Sequence, residues 1–590
     1  MKAIILAAGY GNRMRPLTDQ VHKTLLEVGG KTIIDRIIDS LIDNTITEVV
    51  IVTGYREMEL REYLVSHYPL VQFTFVHNPR YRETNNIYSM ALAFENITFD
   101  SDIILIESDL IYHPSVLQRL LKSPYANVAL VDHFRSGMDG TVVTVENDIV
   151  TNVIPPHLQS DNFDYSDKFK TLNMYKFSQF FCATSFKKLL TYYARVIDDN
   201  CYYELILGIL IYMQKETIHA AVLDGEKWAE VDDPNDVRVA EFVFNQNRKQ
   251  ILDHSFGGYW NYDVTDYCFI RNMYFPDSAI ISEMKNNLPN LIHNYGSRQD
   301  VLNQKLAWFL LFKKEYLHVI NGASQAYPIL QAYFQGKKAL IPSPTFGEYP
   351  RIFPGAECYA DEIGIDPDEI ESKAASSDII VFVNPNNPTG STLSSEWLYH
   401  TARNHQNKTV IVDESFIEFS PYESIITFLE ENPLDNVIVV KSLSKSLGIP
   451  GMRLGYVYSC NEAFNRHFKA AIPIWNLNSL AEFMLEIILK FRKELRNSFT
   501  ATIKDRAEFS RLLASLPIVE KVYPSGGNFL LASFSKKGPA IKEIVDFMLS
   551  KHSIFIKDVS SKFSDGGKYV RFAVRLPDEN ERLVRCLSEL

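Results

Sequence analysis

The sequence predicts an α/β protein made of two separate catalytic domains, and three observations carry that expectation. At 590 residues the chain is too long for one hydrophobic core. Apolar strand-like runs alternate with helical periodicity from the first residues onward. Two unrelated motif sets lie far apart, LAAGYGNRMRPLT at residues 6–18 and NPNNPTG…DESF…SLSKSLGIPGMRLGY at residues 384–456.

The first domain is expected over residues 1–245. Its periodicity gives strand KAIILAA, a glycine turn, a helix around Thr32 to Asn44, and strand EVVIVTG. A helix around Glu57 to His67, strand VQFTFVH and strand DIILIES follow. Such alternation predicts a parallel sheet covered by helices on both faces, with ligands at the carboxyl ends of its strands. The glycine loop sits at such an end. Gly9 and Gly11 let the backbone approach a triphosphate, while Arg13, Arg15 and Lys23 bring positive charge to it. The apolar start is short and runs straight into this loop, so it reads as a strand rather than a leader.

Composition narrows the function classes. With 46% hydrophobic and 22% charged residues the chain is an ordinary globular one. A net charge of −12 argues against general binding of nucleic acid or anionic membrane, so any phosphate site is local. The apolar run from Leu205 to Met213 is far short of the roughly 20 residues of a membrane-spanning helix. Six scattered cysteines form no CxxC pair, which suits a reducing cytoplasm and offers no metal-site spacing.

The segment from Met1 to about Glu241 resembles the nucleotidyltransferases that join a nucleoside triphosphate to a phosphorylated small molecule. It is most similar to the phosphocholine cytidylyltransferases. The similarity includes GYREM, the run Asn85-Asn86-Ile87-Tyr88-Ser89, IESDLIY and AEVDDPNDV. It implies a Rossmann-like domain that binds CTP through Leu6, Ala8, Gly9, Gly11, Arg13, Lys23 and Asn85, with Arg13 and Lys23 catalytic. It also implies magnesium on Asp109 and Asp232, as transfer at an α-phosphorus requires a cation shared by nucleotide and attacking oxyanion. Enzymes of this family hold choline in an aromatic cage. The cage tryptophans fall at Gly140 and Leu207, so the cage is dismantled. Asp139 and Glu204 lie beside those positions and are the expected acceptors for a primary ammonium.

The polar, glycine-containing stretch NQNRKQILDHSFGGYW marks a junction and opens a second domain over residues 246–590. From about Trp260 to Leu590 the chain resembles fold-type I pyridoxal-phosphate aminotransferases, especially the histidinol-phosphate aminotransferase and threonine-phosphate decarboxylase branch. The resemblance implies a large α/β domain plus a small α+β domain. Lys445 is then the lysine that carries the cofactor, activated by a desolvated pocket. Arg453, Ser442 and Ser444 are implied to bind the cofactor phosphate together with the turn Ala323-Ser324. Asp413 pairs with the pyridinium nitrogen, Asn387 with the ring oxygen, and Phe346 stacks on the ring. Tyr295 is implied to reach the neighbouring subunit's phosphate, hence a homodimer through this domain. Arg571 is the implied clamp for the carboxylate of an amino-acid donor.

Two departures qualify the second resemblance. Phe416 lacks the hydroxyl that many aminotransferases offer the ring oxygen, and Lys557 stands where histidinol-phosphate enzymes tend to have arginine. Decarboxylation stays open beside transamination. The two halves together point to an aminoalkyl phosphonate or phosphate as shared intermediate. The combination resembles 2-aminoethylphosphonate cytidylyltransferases that carry a fused transaminase. The C-terminal half would aminate phosphonoacetaldehyde, and the N-terminal half would form CMP-2-aminoethylphosphonate and pyrophosphate. The alternative joins phosphoethanolamine or phosphocholine activation to decarboxylation of a phosphorylated amino acid or to histidinol-phosphate-type transamination.

Overall fold

The apolar run after Met1 forms strand Lys2–Ala7, in which Ala3, Ile4 and Ile5 are fully buried. The computed structural model describes residues 1–135, 137–160, 163–362 and 364–590. In it this strand pairs in parallel with Glu48–Thr53 and Ile103–Glu107, and Gln72–His77 continues the parallel set beyond Glu48–Thr53. These strands and the helices Ile33–Asp43 and Glu57–His67 agree with the periodicity. Thr32 starts the first helix by accepting a hydrogen bond from the Asp35 N–H on its Oγ1 at 3.1 Å. Ile33, Ile34, Ile37, Ile38 and Leu41 line one face of it and are fully buried.

Beyond Ile103–Glu107 the sheet is mixed rather than parallel. The order is Gln72–His77, Glu48–Thr53, Lys2–Ala7, Ile103–Glu107, Phe169–Phe177, Val128–His133, His219–Val222, Ile149–Ile154 and Val142–Glu146. Phe169–Phe177 runs antiparallel to both of its main neighbours. The ends of the parallel strands carry the glycine loop, where Gly11 has φ 61°. Gly54 ends the neighbouring strand, and a Cβ there would lie 2.6 Å from the Ala8 carbonyl oxygen.

The chain divides into two compact units, Met1–Asp263 and Val264–Leu590, beyond the expected junction at 245/246. The reason lies in helix Arg248–Ser255, whose polar composition looked like a linker. Arg248 donates to the Val243 carbonyl at 2.7 Å, its guanidinium covers the Phe242 ring, and Phe242 stacks on Tyr262 at 4.5 Å. That segment is therefore folded into the first unit.

The second unit holds a seven-stranded sheet in the order Leu317–Ile320, Gly455–Ser459, Val437–Ser442, Thr409–Asp413, Ile379–Val383, Ala339–Ser343 and Glu357–Ala360. All neighbours pair in parallel except those made by Gly455–Ser459, which is antiparallel to both. Apolar cores cover both faces. A smaller antiparallel sheet, Val519–Val522, Phe529–Phe534, Lys568–Ala573 and Lys557–Asp558, has a core of its own. This is the large-plus-small arrangement expected. Among the described residues no helix is long and apolar enough to cross a membrane.

Candidate active sites

A cavity of about 540 Å³ opens at the strand ends of the first unit. Leu6, Ala8, Gly9, Gly11, Arg13, Lys23 and Asn85 line it, as do Asp109, Asp139, Glu204 and Asp232. Lys23 Nζ donates to Asp109 Oδ2 at 3.2 Å and to Asp232 Oδ1 at 3.0 Å, while Arg13 pairs with Asp232 Oδ2 at 2.8 Å. A two-stranded ribbon, Leu110–Tyr112 with Trp228–Glu230, brings the two aspartates together, and the Val231 N–H donates to the Asp109 carbonyl at 2.9 Å. Burial alone would lower the Lys23 ammonium, but Asp109 and Asp232 outweigh it and hold it above its ordinary range. His22, beside it, is pushed down to about 4 by burial, so a neutral ring caps the turn Lys23–Leu25. Asp109 Oδ1 is buried without a partner, which leaves this carboxylate pair a free oxygen for a hard cation. The residues present fit magnesium, with Asp109 and Asp232 as its holders.

The deep end of the cavity sets the expected Glu204 among charges that had no expected role, Glu107, Glu230 and Lys170, and all four line it. Lys170 is 1% exposed and pairs with Glu230 at 3.0 Å, and Glu107 accepts from Asn86 Nδ2 at 2.9 Å. Glu204 is 2% exposed and keeps Oε2 without a partner. Burial pushes Glu204 and Glu230 up to about 7 and Glu107 well above the carboxylate range. Three carboxylates thus face a single ammonium. The missed signal was local: Glu107 and Glu230 each end a strand two residues before one of the two expected metal-holding aspartates. Asp139 is exposed at the rim. Of the two expected cage positions, Gly140 lines the cavity, and a Cβ there would lie 2.9 Å from Lys170 Nζ. Leu207 does not line it but is buried in the apolar core behind, its helix turning Glu204 to the cavity instead.

In the second unit the chemistry-bearing residues gather at the ends of the parallel strands. Lys445 lies in the short helix Leu443–Ser446 that follows strand Val437–Ser442, and Asp413 ends strand Thr409–Asp413. Burial, helped by Arg571 and Arg453 and opposed by Asp413, pushes the Lys445 ammonium down to about 8. Arg453 donates to Ser324 Oγ at 2.9 Å beside Ala323, and a Cβ on Gly322 would lie 2.4 Å from the same guanidinium. Ser442 is buried, and Ser444 Oγ is buried without a partner. An arginine, a serine hydroxyl already on it and a second, unbonded hydroxyl fit a phosphate dianion. Pyridoxal phosphate therefore suits these side chains.

Arg571 reaches this cluster from the small sheet, donating to Asn387 Oδ1 at 2.9 Å and to the Cys268 carbonyl. Lys557 is its cross-strand neighbour. Phe416 packs against Phe529 at 5.1 Å and offers the ring oxygen no hydroxyl. Phe346 is partly exposed, 6.1 Å from the Tyr327 ring. Tyr295 stands apart: it is 80% exposed and stacks on Trp475 at 4.4 Å. The hydroxyls of Tyr349 and Tyr327 on Asp413 had no sequence signal, because only the fold brings them there, whereas Ser415 bonds Asp413 from two residues along the chain.

The depressed Lys445 amine gives a first expected result. Capture of pyridoxal phosphate by the apo protein needs the neutral amine, so its rate should rise with pH and level off above about 8. An ordinary lysine would keep rising to roughly 10.4. Stopped-flow absorbance across this range checks it, and a rate still climbing at the upper end contradicts the burial of this amine.

Residues 261–587 match the family model "Aminotransferase class I and II", and residues 2–131 match "Nucleotidyl transferase". The chain is 30% identical over 605 residues to the CMP-5'-(3-aminopropyl)phosphonate synthase of Streptomyces rubellomurinus, covering 100% of this chain and 95% of that protein. It is 28% identical over 351 residues to the L-serine phosphate decarboxylase of Sulfurospirillum multivorans, covering 55% and 88%. The solved histidinol-phosphate aminotransferase from Clostridium acetobutylicum superposes with a TM-score of 0.51 at 26% identity, over 55% of this chain and 98% of that one. The chain belongs to the class I and II aminotransferases and carries, ahead of that pyridoxal-phosphate domain, a nucleotidyl transferase domain, which makes it an enzyme with both activities.

Proposed function

We propose that the first domain transfers CMP from CTP to an ω-aminoalkyl phosphonate or phosphate, with 2-aminoethylphosphonate as acceptor, and that the second domain makes this acceptor. One observation carries the reading: Glu204, buried in the cavity that holds Lys23, Asp109 and Asp232, keeps a carboxylate oxygen unbonded. Glu107 adds a second carboxylate there, and no tryptophan lines the cavity among the described residues. A primary ammonium donates three hydrogen bonds and suits such oxygens, whereas a trimethylammonium has none to donate and needs aromatic faces. The full-length similarity to a CMP-aminopropylphosphonate synthase supports the same acceptor class with one more carbon.

In the transfer, an oxygen of the acceptor's phosphonate attacks the α-phosphorus of CTP, the α–β bridge bond breaks, and pyrophosphate leaves. Lys23 and Arg13 offset the charge that builds on the reacting oxygens. Magnesium on Asp109 and Asp232 would supply further positive charge at the same place. At the deep end Glu204 and Glu107 fix the amine, and Asp139 adds negative charge at the rim.

In the second domain pyridoxal phosphate, when bound, supplies the electron sink. Asp413 would hold the proton on its ring nitrogen, Arg453 with Ser324, Ser442 and Ser444 would anchor its phosphate, and Asn387 would pair with its ring oxygen. Lys445 carries and returns a proton at its amine, and Arg571 orients the substrate carboxylate. The first reading passes the amine of an amino-acid donor to phosphonoacetaldehyde. A second reading, decarboxylation of a phosphono- or phospho-amino acid, is favoured by the 28% identity to an L-serine phosphate decarboxylase. Keto acid formation marks the first and carbon dioxide release the second. The exposed pair of Tyr295 and Trp475 belongs, in this account, to a homodimer interface.

Glu204→Gln tests the acceptor assignment. It should raise KM for 2-aminoethylphosphonate about tenfold or more, roughly 1.4 kcal/mol, and leave KM for CTP within about twofold. Equal KM values for the acceptor in both proteins would remove Glu204 from the amine site.

A further inference from the structure

Asp413 is 3% exposed and is held by four hydrogen bonds. Ser415 donates to Oδ1 from its N–H at 3.0 Å and from its hydroxyl at 2.6 Å. Tyr349 donates to Oδ2 at 2.9 Å, and Tyr327 donates to the same oxygen at 3.4 Å. No ion pair reaches this carboxylate among the described residues, so these hydroxyls and one N–H, with the longer-range charge of Lys445, stabilise its charge.

The two phenols are built in rather than incidental. Tyr349 is fully buried in helix Glu348–Ile352, and Tyr327 is 3% exposed in helix Ala326–Tyr333. Their rings meet edge to face at 5.6 Å and 83°. Burial, reinforced by the charge of Asp413, holds both hydroxyls well above their ordinary range, so they stay protonated and can only donate to it.

The geometry points to Tyr349, with Tyr327 beside it, as the positioning residue that sets the proton affinity of Asp413 and thereby how fully the cofactor's ring nitrogen is protonated. The inference rests on the reading of Asp413 as that nitrogen's partner. The physical argument is a competition for one proton. Burial raises the affinity of Asp413 for it, whereas hydrogen bonds to the ionised carboxylate lower that affinity and leave the proton on the ring nitrogen. Loss of the Tyr349 bond shifts the balance toward Asp413 and weakens the ring as an electron sink.

The test uses the full-length protein loaded with pyridoxal phosphate labelled with nitrogen-15 at the ring position, observed by solid-state NMR at neutral pH. Wild type should give a pyridinium-type shift. Tyr349→Phe keeps the ring packing and should move the signal toward neutral pyridine by at least about a tenth of the gap, with cofactor affinity within about twofold. Tyr327→Phe, which removes the longer bond, should move it less. Lowered kcat at unchanged KM should accompany the shift. An unmoved nitrogen signal in Tyr349→Phe overturns the proposal, whether or not cofactor affinity falls, and leaves the reading of Asp413 standing. A neutral nitrogen in wild type overturns both.

Discussion

Lys445→Ala is expected to abolish the amine chemistry of the second domain while CTP-dependent pyrophosphate release stays within about twofold of wild type. The expectation follows from the division of the chain: Lys445 lies in the unit Val264–Leu590, and every residue around Lys23 lies in the unit Met1–Asp263. The lost amine is buried and depressed to about 8, whereas Lys562, the other lysine depressed to about 8 near Arg571, donates to the Thr345 carbonyl. The loss should exceed about a thousandfold, roughly 4 kcal/mol in the barrier. Parallel assays of keto acid or carbon dioxide formation and of pyrophosphate release check it. A variant in which both activities fall together would contradict independent sites.

Lys23→Ala carries the largest expected effect in the first domain. Its ammonium bonds both Asp109 and Asp232, so the substitution removes a cation from the reacting phosphates and leaves two half-buried carboxylates facing each other. The first consequence commonly costs roughly 3 kcal/mol or more, above about a hundredfold in kcat/KM. The second raises the need for magnesium, because the metal must offset charge that Lys23 offset before. The magnesium concentration for half-maximal rate should therefore change along with the rate. Pyrophosphate release with a thermal melting control measures both. Near-normal release from a folded Lys23→Ala protein would remove this residue from the chemistry.

The sequence exposed the elements whose local pattern is unambiguous. Helix Ile33–Asp43 has a sharp apolar period, and strands Lys2–Ala7 and Thr409–Asp413 are short continuous apolar runs. The resemblance pointed to Lys23, Asp232, Lys445 and Arg453, and the fold brings the first two to one cavity and the other two close to each other. What stayed hidden depends on packing across distant segments. Lys170 pairs with Glu230 only because two strand ends converge on the cavity, and Tyr349 meets Asp413 only through a helix placed beside the sheet. Helix Arg248–Ser255 looked like a linker, since its polar residues conceal the anchoring of Arg248 on Phe242 and Val243. Position Leu207 misled for the opposite reason: one helical turn separates a core side chain from Glu204, which lines the site.

The central claim, a cytidylyl transfer to an acceptor with a primary amine, is tested most directly by pyrophosphate release from CTP and magnesium. The acceptors to offer in parallel are 2-aminoethylphosphonate, 3-aminopropylphosphonate, phosphoethanolamine and phosphocholine. The carboxylates Glu107 and Glu204 predict that phosphocholine is poor, by about tenfold or more in kcat/KM, and the similarity to a CMP-aminopropylphosphonate synthase predicts that the aminoalkyl phosphonates lead and phosphoethanolamine follows. Phosphocholine as the preferred acceptor would contradict this account.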